Sequence, residues 1–215
     1  IAVTERGLQR ALRQIRVGQT EREIAANIQL CMLQEGADRM AFGPLVVAGP
    51  RSAEPHAGPS DRVIQPGDVM IIDCGAAVGH YSGDITRCAA VEPVPEEVTT
   101  IYDLCLAANA AARAAVRPGA TGHEIDAAAR ALIDSGGYRD YFIHRTGHGL
   151  GLEGHEPPFM VAGNEQPLSA GNVFTIEPGI YVPGLGGVRV EDDVVVTESG
   201  VQSLTTFSRE LIRVG

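Results

Sequence analysis

The sequence has no lysine. All 17 of its basic residues are Arg, set against 27 acidic ones, and the net charge is −10. That balance argues against non-specific nucleic-acid binding and against docking on an anionic membrane. Arginine used to the exclusion of lysine points to a GC-rich, bacterial coding sequence rather than to a design of ion pairs. No apolar run approaches the roughly 20 residues needed to span a bilayer, and no basic segment leads into an apolar one as in a secretory leader. Cys31, Cys74, Cys88 and Cys105 show no CxxC spacing and stand in apolar stretches. Four buried free thiols in a reducing cytoplasm are therefore expected. No low-complexity linker divides the 215 residues, 44% of which are hydrophobic, so a single domain with one substantial core is expected. The sequence opens at Ile1 without Met and enters a helical pattern almost at once, so upstream residues or a whole preceding N-terminal domain are expected.

What the chain does contain, it states twice. Gln65-Pro66-Gly67-Asp68-Val69-Met70-Ile71-Ile72-Asp73 leads on to Asp84, and Ser169-Ala170-Gly171-Asn172-Val173-Phe174-Thr175-Ile176-Glu177 leads on to Glu191. Further back, Val17-Gly18-Gln19-Thr20-Glu21-Arg22-Glu23-Ile24 is echoed by Arg117-Pro118-Gly119-Ala120-Thr121-Gly122-His123-Glu124-Ile125. Thr20 with Glu23, and Thr121 with Glu124, have the capping-box spacing of a helix start. The offsets, 119 − 18 = 101 and 171 − 67 = 104, make the repeat half the chain. That is too long a period for a solenoid. The expectation is an α+β domain of two related halves facing each other across a pseudo-twofold axis, with helices covering a curved, mostly antiparallel sheet.

Along the chain, Leu8, Leu12 and Ile15 predict a first helix, and Ile24, Ile28, Cys31 and Met32 a second that ends at Gly36. Phe42 to Ala48 reads as extended, followed by a Gly/Pro/Ser loop carrying His56. Val69–Asp73 and Asp84–Val91 read as strands joined by a turn from Gly75 to Gly83. Pro95 opens a helix from Glu96 to Val116, and another runs from Thr121 to about Asp134. Strands are expected near Phe142 and at Val173–Glu177, Val188–Glu191 and Val194–Thr197. Gly147–Pro158 and Pro178–Gly187 read as turns.

Asp73, Asp84, Glu177 and Glu191 all end or follow apolar strands, where unneutralised carboxylates are costly to bury. A single such acid is ordinarily a solvated turn residue; four on duplicated frames point to a metal site. Two divalent ions balance four carboxylates, and oxygen-rich ligation favours Mn²⁺, with Co²⁺, Zn²⁺ or Fe²⁺ as alternatives. His144, His148 and His155 fall within twelve positions among glycines that admit a ligand to the backbone. His56 and His155 also lie one repeat apart, 155 − 56 = 99, which places them on opposite sides of one pocket.

The glycine-histidine stretch from His144 to Pro158, together with Phe174-Thr175-Ile176-Glu177-Pro178-Gly179 and Gly187-Val188-Arg189-Val190-Glu191-Asp192-Asp193, resembles the pita-bread metallopeptidases that include methionine aminopeptidase, aminopeptidase P and prolidase. The likeness spans Thr20 to about Leu204. It implies a dinuclear site in which Asp84 and Glu191 bridge two divalent ions, Asp73 serves one, and His148 with Glu177 serves the other. Arg189 before Glu191, Asp192-Asp193 after it, and Asp84-Ile85-Thr86-Arg87 are similar to the Xaa-Pro branch, as are His56, His144 and His155. The implied activity is metal-dependent hydrolysis of an Xaa-Pro bond in proline-containing peptides or dipeptides. Glu177 is then the general base, and His155 or His56 is the proton donor or oxyanion partner. Arg189 pairs either with a substrate carboxylate or with Asp192 or Asp193, and His144 lines the proline pocket. The branch's N-terminal domain helps oligomerisation, so a homodimer or higher homo-oligomer is expected. The rival readings are a creatinase-like hydrolase of a non-peptide C–N bond, a methionine aminopeptidase, and a binding module that uses the fold as an interaction surface.

Overall fold

A computed structural model describes residues 1–215. The first half runs α1 (Ala2–Leu12), α2 (Glu21–Gln34), β1 (Arg39–Met40), β2 (Leu45–Ala48), a 3-10 turn (Gly49–Ala53), β3 (Val69–Cys74), β4 (Ala76–Val78), β5 (Tyr81–Ser82) and β6 (Ile85–Ala90). After α3 (Glu96–Ala115) come α4 (Gly122–Ser135), a 3-10 turn (Arg139–Tyr141), β7 (Gly147–Gly149), β8 (Glu156–Met160), β9 (Val173–Ile176), β10 (Gly179–Val182), β11 (Gly186–Arg189), β12 (Asp192–Thr197), β13 (Gly200–Ser203) and β14 (Ile212–Arg213).

The duplication is physical. Thr20 and Thr121 each accept a bond from the N–H three residues on, and Glu23 and Glu124 accept one from the threonine N–H, so both capping boxes form. Each helix head is tied to the segment before its strand, Ile64 N–H to Gln19 O at 2.9 Å and Leu168 N–H to Ala120 O at 2.8 Å. Gly67 and Gly171, which turn the chain into β3 and β9, share a φ of +91° that only glycine adopts readily.

The curved, mostly antiparallel sheet is built as four hydrogen-bonded groups, β14-β6-β3-β2, β13-β12-β9-β7-β8, β10-β11 and β1-β4-β5. Only β14 with β6 is parallel. Strand β3 is apolar from Val69 to Ile72 because both its faces are covered there. Met70 and Ile72 join α1 and α2 in one core, while Val69 and Ile71 point the other way into the core that α3, α4 and the second-half strands share. Each such fully buried side chain contributes about 1.5–3 kcal/mol. The two cores thus meet across one strand, and Asp73, near its end, is held between them.

Several local expectations fail for one reason: glycine was read as turn chemistry where it serves close packing. Gly147 and Gly149 are residues of β7, since a Cβ there would strike the Thr175 carbonyl or those of Glu156 and Pro157. The stretch read as a turn from Pro178 to Gly187 contains β10 and most of β11, and Gly187 lets β11 lie against the Ser52 carbonyl. The Gly75–Gly83 turn is the hairpin β4–β5. No strand forms at Phe142; its ring lies 4.2 Å beneath the Arg130 guanidinium, which also takes the Phe142 carbonyl. Ile15 lies beyond the end of α1 yet is buried. The four thiols are free and buried, as expected.

Candidate functional site

Strand ends from both halves meet at a cavity of about 750 Å³. Asp73 is the fifth residue of β3 and pairs in register with Thr86 of β6, just beyond Asp84. Glu177 follows β9 directly, Glu191 sits between β11 and β12, and His148 is the middle residue of β7. All five line the cavity, with His56, His144, His155 and Arg189. Asp73, Asp84 and Glu191 offer ligand atoms within 4.8 Å of one another, and so do His148, Glu177 and Glu191; Asp84, His148 and His155 form a third such group.

Two of these carboxylates each keep one oxygen without a partner. Asp73 Oδ1 and Asp84 Oδ1 are buried without a hydrogen bond, an arrangement that costs free energy unless a cation sits against them. His148 Nδ1 lies 3.1 Å from the Gly149 carbonyl, so Nδ1–H donates there and the Nε2 lone pair faces Glu177 Oε1 at 3.3 Å and Asp84 Oδ2 at 3.9 Å. Burial holds the His148 pKa down to about 4, so these contacts are not ion pairs. A lone pair opposite carboxylate oxygens suits a shared cation. Burial, then repulsion from Glu191 and Asp73, pushes the Asp84 pKa well up; burial, then Glu177 and Asp73, does the same to Glu191. Burial raises Glu177 to about 7 against the opposing pull of Arg189. Four carboxylates and one imidazole in two overlapping groups that share Glu191 fit two divalent ions in number of donors, charge and chemistry.

Hydroxyls and one arginine orient the acids. Thr86 Oγ1 donates to Glu191 Oε2 at 2.5 Å and accepts from Arg189 Nε at 3.0 Å. Thr175 Oγ1 accepts from His148 N–H at 3.1 Å and donates to Glu177 Oε1 at 3.2 Å. Neither threonine was expected at the site, although period-two alternation signals both: Thr86 lies two residues after Asp84, and Thr175 two before Glu177.

Arg189 pairs with neither of the acids expected as its structural partner. Its Nη2 donates to Asp73 Oδ2 at 2.6 Å, Nη1 to Tyr181 Oη at 3.1 Å and to the Pro55 carbonyl at 3.3 Å, and Nε to Thr86. Four of the five N–H groups of a guanidinium are thereby engaged, which leaves no two-bond grip for a substrate carboxylate. Nor does Arg189 pair with Asp192, whose partners are Arg87 at 2.8 Å and Arg209 at 2.6 Å, or with Asp193, whose Oδ2 accepts from Asp84 N–H. It braces Asp73.

The histidines take different places. His144 is spanned at both nitrogens, Nδ1 to the Arg145 carbonyl and Nε2 to Tyr181 Oη, each 2.7 Å, and burial, then Arg189, lowers its pKa to about 3. It therefore presents a neutral ring rather than a free nitrogen. His56 stands at the exposed rim, 6.3 Å from His144 between ring centroids. His155 lies 3.8 Å from His148 between centroids, and its Nδ1 accepts from Arg145 Nη2 at 3.2 Å, which leaves Nε2–H as its donor. Burial, then Arg145, lowers the His155 pKa.

Two fasteners that the sequence reading missed hold the loops bearing His56 and His144. Buried Glu21 accepts from Ala48 N–H, Arg51 and both donors of Ser60. Buried Asp126 takes Arg130 and Thr146, and Arg130 holds the carbonyls of Phe142 and His144.

The cluster sets a pH dependence for the metal-free protein. His144 and His148 are depressed below the ordinary 6.5, so their unfavourable charging acts only as pH falls below about 6.5. Glu177 and Asp193, raised to about 7 and about 8, keep protons that the unfolded chain has released near pH 4, so stability declines as pH rises. Above about pH 6.5 only the second effect operates. Thermal melts of metal-free protein should show Tm falling from there to about pH 8, by about 2–4 °C for each ~1 kcal/mol. Saturating divalent metal should flatten most of that slope; a flat profile without metal would contradict the electrostatic picture.

Comparison with known proteins agrees with this geometry. The Xaa-Pro dipeptidase of Pyrococcus furiosus is 45% identical over 98% of this chain and 60% of its own length. The crystal structure of an X-Pro aminopeptidase from Thermotoga maritima superposes at a TM-score of 0.98 with 42% identity, over 100% of this chain and 61% of that one. Dipeptidase PepE from Mycobacterium ulcerans does so at 0.96 with 44% identity, over 99% and 57%. The chain thus spans about 60% of the length of the relatives it matches, and its fold is the pita-bread fold expected from the motifs. With the sequence profile of metallopeptidase family M24 matching residues 1–198, and duplicated halves converging on an acidic, histidine-bearing cavity, this chain belongs to metallopeptidase family M24.

Proposed function

We propose that this protein is a dinuclear metal-dependent exopeptidase that hydrolyses the Xaa-Pro bond of dipeptides or at the N-terminus of short peptides. The observation that carries the reading is the convergence of Asp73, Asp84, His148, Glu177 and Glu191, with buried oxygens left for cations to satisfy. Asp84 and Glu191 would be shared between two ions, with Asp73 on one side and His148 and Glu177 on the other. The relatives' names, Xaa-Pro dipeptidase and X-Pro aminopeptidase, support the substrate class. Bound divalent metal would supply Lewis acidity and a nucleophilic water at neutral pH.

Within that frame Glu177 is the general base, its carboxylate aimed by the Thr175 hydroxyl. His155, its Nδ1 occupied by Arg145, offers Nε2–H to the oxygen of the scissile carbonyl as charge develops there. The leaving nitrogen is proline's own, part of a tertiary amide without an N–H, and on leaving it must gain a proton; in this proposal His56, at the open rim, delivers it. His144, with both nitrogens engaged, lines the pocket through its ring face. Arg189 acts through Asp73.

Mn²⁺ is the proposed native metal, supported by the oxygen-rich donor set. A cytoplasmic, bacterial setting is supported by four unpaired thiols and by exclusive use of arginine. No helix is long and apolar enough to cross a membrane. The 215 residues act here as one catalytic domain, supported by a strand, β3, that serves both cores. A homodimer or higher homo-oligomer is part of the proposal and is read from the mass in solution.

The test is hydrolysis of Ala-Pro, Ala-Pro-Ala, Met-Ala-Ser and a small non-peptide amide by Mn²⁺-loaded protein with a chelated control. Chelator-sensitive cleavage confined to the Xaa-Pro bonds is expected. Cleavage of the non-peptide amide alone would replace this reading with the creatinase-like one, and cleavage of Met-Ala-Ser alone with methionine aminopeptidase.

A further inference from the structure

Of the 17 arginines, 13 have a carboxylate within 4.0 Å. The remaining four are Arg13, Arg16, Arg39 and Arg145, and of these only Arg145 lines the cavity. Its guanidinium stands 4.9 Å over the ring of Phe159 and spends one N–H on His155 Nδ1. That leaves most of a planar five-donor fork without a protein partner, in a cavity that also holds four carboxylates. A cation drawn to such acids would ordinarily pair with one of them; Arg145 is kept apart by the imidazole of His155 and the face of Phe159. Arg189, the other guanidinium in the cavity, is consumed by Asp73, Tyr181, Thr86 and Pro55.

We infer that Arg145 is the specificity-determining anchor for the free carboxylate of a short substrate, gripping it bidentately. The inference deepens the Xaa-Pro peptidase reading and rests on it. His155 separates Arg145 from His148 by a single ring, its own ring 3.8 Å from His148 between centroids and its Nδ1 3.2 Å from the guanidinium. In an Xaa-Pro dipeptide the free carboxylate lies only three bonds from the scissile carbonyl carbon, so a carbonyl over the acidic cluster keeps that carboxylate inside the same cavity, where Arg145 is the guanidinium with donors to spare. A longer peptide places a neutral amide there, which a guanidinium holds less well. The site therefore favours dipeptides.

The test compares L-proline with prolinamide by calorimetric titration into metal-loaded protein, and Ala-Pro with Ala-Pro-amide by kinetics. Wild type should bind proline and process Ala-Pro at least tenfold better than the amides, with the kinetic preference residing in KM. Arg145→Gln should abolish both preferences at unchanged metal content, and Arg145→Lys should restore part of them. A merely structural role for Arg145, through Phe159 or His155, would change acid and amide alike. A preference that survives in Arg145→Gln, or none in wild type, overturns the inference. Carboxylate discrimination without any Xaa-Pro hydrolysis would remove the peptidase reading and keep the anchor; hydrolysis without discrimination would remove the anchor alone.

Discussion

Glu177→Gln should lose about 10²–10⁴-fold in kcat, the ordinary weight of a positioned general base, while the metal-loaded variant stays folded. The amide is nearly isosteric, and its oxygen can still accept from the Thr175 hydroxyl that now lies 3.2 Å from Glu177 Oε1. What it cannot do is take a proton. Burial pushes the Glu177 pKa up to about 7 in the metal-free protein, and a bound cation would draw it back down, so the carboxylate would stand ionised and ready to accept a proton in the loaded enzyme. The substitution also removes one of four negative charges, so metal affinity should weaken, and turnover must be compared at saturating metal with the bound metal measured. Wild-type turnover by a metal-loaded Glu177→Gln protein would end the assignment of the base.

Arg87→Met should destabilise the protein by about 3–5 kcal/mol, the usual cost of breaking a buried charge network from one side. Arg87 is fully buried and belongs to β6 of the first half, yet most of its partners come from the second half and the C-terminal segment. It donates to Asp192 Oδ1 at 2.8 Å, to the Glu191 carbonyl at 2.5 Å, and to the carbonyls of Ser208 and Phe207 at 2.7 and 2.9 Å. Methionine would fill much of the space but leave those carbonyls without a donor. At this size the loss amounts to roughly 6–20 °C in Tm. Because Glu191 is held through its backbone, metal affinity should fall as well. A melt within a degree of wild type would show that the halves are joined by packing alone.

The carboxylates that converge on the cavity were legible because duplication marks position as well as residue type: each half ends an apolar strand on a carboxylate and supplies another after the next turn. Helix starts were legible for a local reason, the Thr and Glu of each capping box, and both boxes form. The ion-pair partner of Arg189 was not legible because spacing alone suggests partners near in sequence, Asp192 and Asp193, whereas the fold offers it Asp73 across the pseudo-twofold axis. Arg145 drew no attention because an arginine beside three histidines has no distinguishing pattern; its lack of a carboxylate partner exists only in three dimensions. Glycines in Gly147–Gly149 and Gly186–Gly187 looked like turns because sequence does not reveal which backbone passes within contact distance.

The most direct test of the central claim is titration of Ala-Pro hydrolysis with Mn²⁺, starting from chelator-stripped protein, with bound metal counted at each step and His148→Ala carried alongside. Activity should be negligible without metal and should rise to a plateau at two ions per chain. His148→Ala should need a much higher concentration to reach the same occupancy. Full activity at one ion per chain, or activity that persists in the stripped protein, would contradict a dinuclear site built from Asp73, Asp84, His148, Glu177 and Glu191.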